Sequence, residues 1–306
     1  MSLIVFGSLN MDLVAKTPRL PTPGETVQGE SFLTAPGGKG ANQAVAAARL
    51  GAVTYLVGRV GDDQFGSALL TGLKADKVNI EQVLVDSQTP SGVAMITVNQ
   101  SSENTIIVIA GANGKVDETD VQRILPLFSN TTALLLQLEI PLSAVMAAAK
   151  AAYNAGIKVI LDPAPAPDSL PDELYGLIDI ITPNETEAQR LTGIEITDKT
   201  MARKAAAVLL SRGVKTAVIK LGARGVFCMN SSQQFYVEPF AVEAVDTVAA
   251  GDAFNGAMAT ALDRNLSLRE AVIWGAAAGA LTTTKSGAQP ALPNWEILSK
   301  FLHQST

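Results

Sequence analysis

Apolar positions along the chain fall into short unbroken runs separated by stretches in which small and apolar residues recur at helical intervals. Residues 3–6 form the first run and predict a buried strand that stops at Gly7-Ser8. The text then changes. Residues 12–35 are rich in Pro, Thr and Gly with short alternating pieces, and predict loops and short strands outside the main sheet. An Ala-rich helix follows over 41–50, closed by Gly51, then a strand over 52–57 and a helix over 63–74. Residues 92–98 and 105–110 are β-rich and joined by a polar stretch, 99–104, as in a hairpin.

Beyond that point the rhythm is regular. Strands are expected at 133–138, 158–161, 178–181 and 216–221, and helices at 142–155, 185–191 and 201–212. Continuous apolar strands alternating with helices predict a parallel sheet covered on both faces. Residues 222–239 read as antiparallel strands at its edge, and 251–262 and 267–284 as closely packed helices rich in small residues. The expected fold is a doubly wound α/β sheet, mostly parallel, in a single unit over 1–306. A small β-sheet lid is expected from about 12–35 and 92–110.

Composition narrows the chemistry. The net charge is −6 without a basic stripe, which argues against nucleic acid, and no apolar stretch reaches the length of a membrane span. No signal-peptide pattern opens the chain. The single cysteine, Cys228, excludes an intrachain disulfide and fits a reducing cytoplasm. The single histidine, His303, stands at the far C-terminal end, so acid–base work falls to carboxylates, lysines or tyrosines. Neither the G-x-x-x-x-G-K-[ST] loop nor G-x-G-x-x-G after the first strand is present, which disfavours P-loop ATPases and dinucleotide dehydrogenases.

The richest site signal lies in 244–256, where Ala249, Ala250 and Gly251 lead into a helix whose first turn holds Asp252. Free N–H groups and small side chains at a helix start suit a phosphate, although Asp252 alone reads equally as a helix cap. Asn10 and Asp12 follow the first strand, where ligand crevices form, or make a turn pair. Asn184 and Glu187 have capping-box spacing. The two tryptophans, Trp274 and Trp295, read as packing residues.

Four segments in order resemble the ribokinase branch of the PfkB-type carbohydrate kinases, with the likeness running from Val5 to about Leu302. They are Pro36-Gly-Gly-Lys-Gly-Ala-Asn-Gln-Ala44, Thr182-Pro-Asn-Glu-Thr-Glu187, Asp246-Thr-Val-Ala-Ala-Gly-Asp-Ala-Phe254 and Lys285-Ser-Gly-Ala-Gln-Pro290. The resemblance implies ATP-dependent phosphorylation of D-ribose at its 5-hydroxyl, with Asp252 as base and the amides of Ala249, Ala250 and Gly251 as anion hole. It implies a sugar site of Asn10, Asp12, Gly38, Lys39, Asn42, Glu139 and Asp252. Asn184 and Glu187 would organise Mg²⁺ and the ATP phosphates, and the turn with Lys220, Gly222 and Gly225 would line the nucleotide. A K⁺ site would draw on Asp246, Val248, Thr282, Lys285, Gly287 and Ala291, although alanine at 291 offers no side-chain oxygen. A homodimer formed through the lid is implied as well. Deoxyribose, a hexose or a nucleoside as acceptor, or a non-catalytic sugar-binding regulator on the same fold, stand as alternatives.

Overall fold

In the computed structural model, residues 1–101 and 103–304 are described. Ser102, in the polar tip expected at 99–104, and Ser305 and Thr306 lie outside them. The chain begins with β1 (Ser2–Phe6), β2 (Asn10–Lys16), β3 (Ser31–Gly37) and α1 (Lys39–Arg49), followed by β4 (Val53–Gly61), α2 (Gln64–Ala75) and β5 (Asn79–Asp86). After β6 (Gly92–Val98) and β7 (Asn104–Ile109) come α3 (Glu118–Ile124), β8 (Thr131–Leu136), α4 (Leu142–Asn154), β9 (Lys158–Leu161), α5 (Asp172–Tyr175), β10 (Ile180–Ile181) and α6 (Glu185–Thr192). The remainder is α7 (Lys199–Ser211), β11 (Thr216–Lys220), β12 (Val226–Asn230), β13 (Gln234–Val237), α8 (Ala250–Asp263), α9 (Leu268–Thr283) and α10 (Trp295–Gln304).

Nine strands form the main sheet in the order β13-β12-β11-β10-β9-β8-β1-β4-β5. The pairs from β11 to β5 are parallel, and the β11–β12 and β12–β13 pairs are antiparallel. Side-chain alternation divides the core between two faces. Leu3 and Val5 of β1, with Ala133 and Leu135 of β8, pack beneath α1, α8 and α9. Ile4 and Phe6, with Leu134 and Leu136, face α4 and α7 on the other side. Both faces are therefore covered, which explains why these strands read as unbroken apolar runs.

The second sheet has the order β3-β2-β6-β7, with β2–β3 and β6–β7 antiparallel and β2–β6 parallel. It is wider than 12–35 and 92–110 suggest, because β2 begins at Asn10 and β3 runs to Gly37. Asn10 is thus a strand residue, in register with both Gly37 and Gly92. Four elements have no counterpart in the pattern above. Edge strand β5 is only half-buried, and α3, α5 and α10 are short helices of seven, four and ten residues.

Strand order fixes where a ligand crevice forms. The chain winds from β1 outward through β4 and β5, then returns to β8 on the other side of β1 and winds away through β9, β10 and β11. The winding reverses between β1 and β8. Such a switch point, at the carboxyl ends of the strands, opens a cleft between diverging connections.

Candidate active site

The segments following β1 and β8 meet at this switch point. Ser8 Oγ donates to Glu139 Oε2 at 2.6 Å, and the Lys39 backbone N–H donates to the same oxygen at 3.1 Å. Gly38 caps α1 with φ of 88°, and a Cβ there would lie 2.7 Å from the Asn10 nitrogen, so only glycine lets α1 start this close to β2. Asn10 is buried, and its Oδ1 accepts from Asn113 Nδ2, which also donates to the Leu9 carbonyl. The Asp12 carboxylate lies over Gly37, within 2.6 Å of where a Cβ would stand. Burial, then the charges of Glu139 and Asp252, push the Asp12 carboxyl up to about 7.

Across this crevice stands the start of α8. Its cap, Ala249, is left-handed with φ of 59°, an uncommon conformation for a residue with a Cβ. Asp252 in the first turn is 5% exposed. Its Oδ2 accepts from Asn42 Nδ2 at 3.0 Å and its Oδ1 from Gln43 Nε2 at 3.1 Å. Burial pushes the Asp252 carboxyl up to about 6; the Lys39 ammonium opposes that rise, Asp162 adds to it, and the two amides oppose it. Lys39 is pushed down by burial, but Asp252, Asp162, Glu139 and Glu187 together outweigh this and hold its ammonium above the usual lysine range. Its side chain thus brings a cation to the site.

On the far side of Asp252 opens a cavity of about 790 Å³, within the range of small-molecule sites. Its polar end holds Lys39, Asp162, Asn184, Glu187, Lys220, Ala249, Ala250, Gly251 and Asp252. Lys220 Nζ pairs with Asp162 Oδ1 at 2.9 Å and stands 3.2 Å from where a Cβ on Gly251 would lie. Its other end is bounded by Gly222 and Gly225, both at positive φ, and by apolar walls of Phe240, Val242, Ala276 and Ala280. Asn184 and Glu187 form a complete capping box at the start of α6. Both Glu187 oxygens accept from Asn184, one from its backbone N–H and one from its side chain, each at 2.8 Å. Burial raises the Glu187 carboxyl, and Lys220 draws it back. Among the described residues no cluster of three or more His, Cys, Asp or Glu side chains is arranged to hold a metal ion.

The segment before α8 is tied to the end of α9. Val245 and Asp246 N–H groups donate to the Thr283 carbonyl, while Asp246 Oδ2 accepts from Gly287 N and Oδ1 from Val248 N. The helix-end carbonyl that meets this segment is that of Thr283, because the Thr282 carbonyl accepts from Lys285 N. Lys285 is exposed, and Ala291 is buried in a short 3₁₀ turn, Gln289–Ala291. None of these six positions lines the cavity, although neighbouring Thr247 and Thr283 do. Trp274 and Trp295 pack on each other at 4.8 Å, with the Arg264 guanidinium over both rings.

Four residues of the site escape the sequence reading: Asp162, Gln43, Gln137 and Asn113. Asp162 had a signal, being the first polar residue after the apolar run 159–161 and so at the carboxyl end of a parallel strand. The three amides carry no pattern of their own.

A buried carboxylate at a helix start, between a polar crevice and a long part-apolar cavity, defines a two-substrate site. Residues 1–295 match the family of pfkB carbohydrate kinases, and the chain belongs to that family. It is 44% identical over 304 residues to a protein named ribokinase from Haemophilus influenzae, covering 99% of both chains. It is 35% identical over 306 residues to a deoxyribokinase from Salmonella typhi, again covering 99% of both. A solved structure of an Arabidopsis thaliana ribokinase complexed with ribose and ATP superimposes with a TM-score of 0.92 at 36% identity, covering 98% of each chain.

Proposed function

We propose that the protein transfers the γ-phosphoryl group of ATP to the 5-hydroxyl of D-ribose, with Asp252 as general base. The observation that carries this reading is the place of Asp252, buried at the start of α8 and bordering both the crevice of Asn10, Asp12 and Glu139 and the larger cavity. In the reaction the sugar hydroxyl gives its proton to the Asp252 carboxylate while its oxygen attacks the γ-phosphorus. The bond to the bridging oxygen of ADP breaks, and ADP leaves with that electron pair. The amides of Ala249, Ala250 and Gly251 and the ammonium groups of Lys39 and Lys220 oppose the negative charge of the transferring group. Asn10, Asp12, Gly38, Lys39, Asn42 and Glu139 orient the sugar. Gly222, Gly225 and the apolar wall receive the nucleoside end of ATP.

The donor set suits a hydrated Mg²⁺ that takes most of its ligands from phosphates and water, held through Asn184 and Glu187, and such an ion offsets phosphate charge. Asp246, with carbonyls of Val248, Lys285 and Gly287, would hold a K⁺ that fixes the backbone leading into Ala249. Work in the cytoplasm and a homodimer formed through the second sheet complete the reading. Among the described residues no helix is long and apolar enough to cross a membrane.

The test is ADP release with ATP, Mg²⁺ and a panel of ribose, 2-deoxyribose, hexoses and nucleosides. Ribose is expected to give the highest kcat/KM; a preference for 2-deoxyribose, as the Salmonella relative's name invites, would overturn the substrate assignment. Asp252→Asn is expected to fold and to lose at least ~10²-fold in kcat, the low end for removal of a general base. Near-normal turnover would overturn the base assignment and leave Asp252 a buried acceptor for Asn42 and Gln43.

A further inference from the structure

Behind Asp252 lies a buried chain of amides. Gln43 in α1 is 1% exposed and every polar atom of its side chain is engaged. Its Nε2 donates to Asp252 Oδ1 at 3.1 Å and to Asp162 Oδ2 at 3.0 Å, and its Oε1 accepts from Gln137 Nε2 at 2.7 Å. Only one orientation of the Gln43 amide satisfies this arrangement, since the reverse would turn its oxygen toward two carboxylates. Gln137 enforces that orientation at a cost. With Nε2 committed to Gln43, its buried Oε1 has no hydrogen-bond partner among the described residues and lies where Gly7 leaves room for it. A buried acceptor without a partner is destabilising, and such a cost beside a reacting group marks a positional demand.

The far end of the chain is as well anchored. The second oxygen of Asp162 accepts from Lys220, whose ammonium stands beside Gly251 at the start of α8. One NH₂ group therefore joins the carboxylate assigned as base to the ion pair at the phosphate end of the cavity. We propose that Gln43, oriented by Gln137, is the positioning residue that aims the Asp252 carboxylate and couples it to the Lys220–Asp162 pair.

The charged groups that act on Asp252 are Lys39 on α1, Asp162 after β9 and Asp12 on β2, and beyond them Glu139 after β8, Glu187 on α6 and Lys220 on β11 act on these neighbours or on one another. Lys39 favours its ionised form, and the carboxylates oppose it. Gln43 and Asn42 are the two donors that touch the ionised form directly, so removing Gln43 moves the proton affinity of the base upward.

The inference rests on Asp252 as general base, and Asp252→Asn tests that separately. Gln43→Met is expected to lower kcat by about 10- to 100-fold, the usual range for a residue supporting a reacting group. KM for the sugar is expected to stay near the wild-type value, and the acid limb of the pH–kcat/KM profile to move to higher pH. Gln137→Met, which touches neither Asp252 nor the ligand crevice, is expected to move the limb in the same direction by less. Gln137→Glu, which faces the Gln43 oxygen with a carboxylate, is expected to move it further than Gln137→Met does. A Gln43→Met enzyme that loses turnover with an unmoved acid limb would make Gln43 a packing residue and overturn the proposal. Should Gln43→Met not fold, the two Gln137 variants decide: an unmoved limb in both overturns it. If Asp252→Asn is inactive and the limbs stay put, only this inference fails; if Asp252→Asn is active, the base assignment fails first.

Discussion

Asp252 sits under opposing demands. Burial disfavours its charge, while Lys39, Asn42 and Gln43 favour it, and the balance leaves the carboxyl near 6. A base with that affinity is ionised at neutral pH and still accepts a proton readily. The ionised form is the active one, so kcat/KM is expected to fall as pH drops through about 6, about two units above an ordinary aspartate. A stopped assay over pH 5–8 reads this, and an acid limb near pH 4 would contradict it. Asp12 is raised further, to about 7, by burial and by its carboxylate neighbours. Because its folded affinity exceeds the unfolded one, its contribution to stability is fully present below about 4 and is lost as pH rises through about 7. Asp12→Asn is therefore expected to raise Tm at pH 8 by a few degrees, roughly 2–4 °C per kcal/mol for domains of this general size. The gain should shrink steadily toward pH 4, and a Tm difference independent of pH would refute the cause. The bases of these effects were unequally legible in the sequence. Asp252 and Asn42 stood in segments with recognisable spacing. Gln43 and Gln137 did not stand out, because a buried amide is a neutral residue in any pattern and gains meaning only from what it faces.

Among the elements, α1 links the two halves of the site. Its cap lies against Asn10, its first N–H reaches Glu139, and Asn42 and Gln43, one turn on, hold Asp252. Gly38→Ala is expected to disturb this hub, since the added Cβ meets the Asn10 nitrogen and φ of 88° disfavours any side chain. The expected cost is about 1–3 kcal/mol, read as a lower urea midpoint at unchanged m, with a raised KM for the sugar. An unshifted midpoint would show that α1 starts with slack. The central strands were legible because burial on both faces leaves unbroken apolar runs such as 3–6 and 133–136. Strand β5 was not, because it lies at the sheet edge and its sequence, NIEQVLVD, mixes polar residues with apolar ones that are half-buried or, at Leu84 and Val85, exposed. Helices α3 and α5, of seven and four residues, are too short for helical periodicity to separate them from loop.

For the molecule as a whole, the second sheet leaves a large apolar area uncovered. Phe32 and Leu33 of β3, Met95 of β6 and Ile106, Ile107, Val108 and Ile109 of β7 are exposed, Ile107 at 64%. Strands β3 and β7 are also open edges, and soluble proteins rarely leave such strands bare. The proposed dimer covers them. Sedimentation equilibrium at micromolar concentration is expected to give twice the chain mass, and Ile107→Lys to shift it toward the single chain. A wild-type single chain at that concentration would remove the dimer from the reading.

The sole thiol of the chain has a different consequence. Cys228 is fully buried in β12, and burial pushes its thiol up to about 12, so thiolate is scarce at neutral pH and reagents have no access. The native sequence is therefore already a silent background for site-directed labelling. A cysteine introduced at an exposed position such as Lys16, at the end of β2 and outside that apolar area, would be the one reactive sulfur in the folded enzyme. A dye attached there would report where the second sheet stands relative to the main one, turnover by turnover, without removal of any native residue but the one replaced.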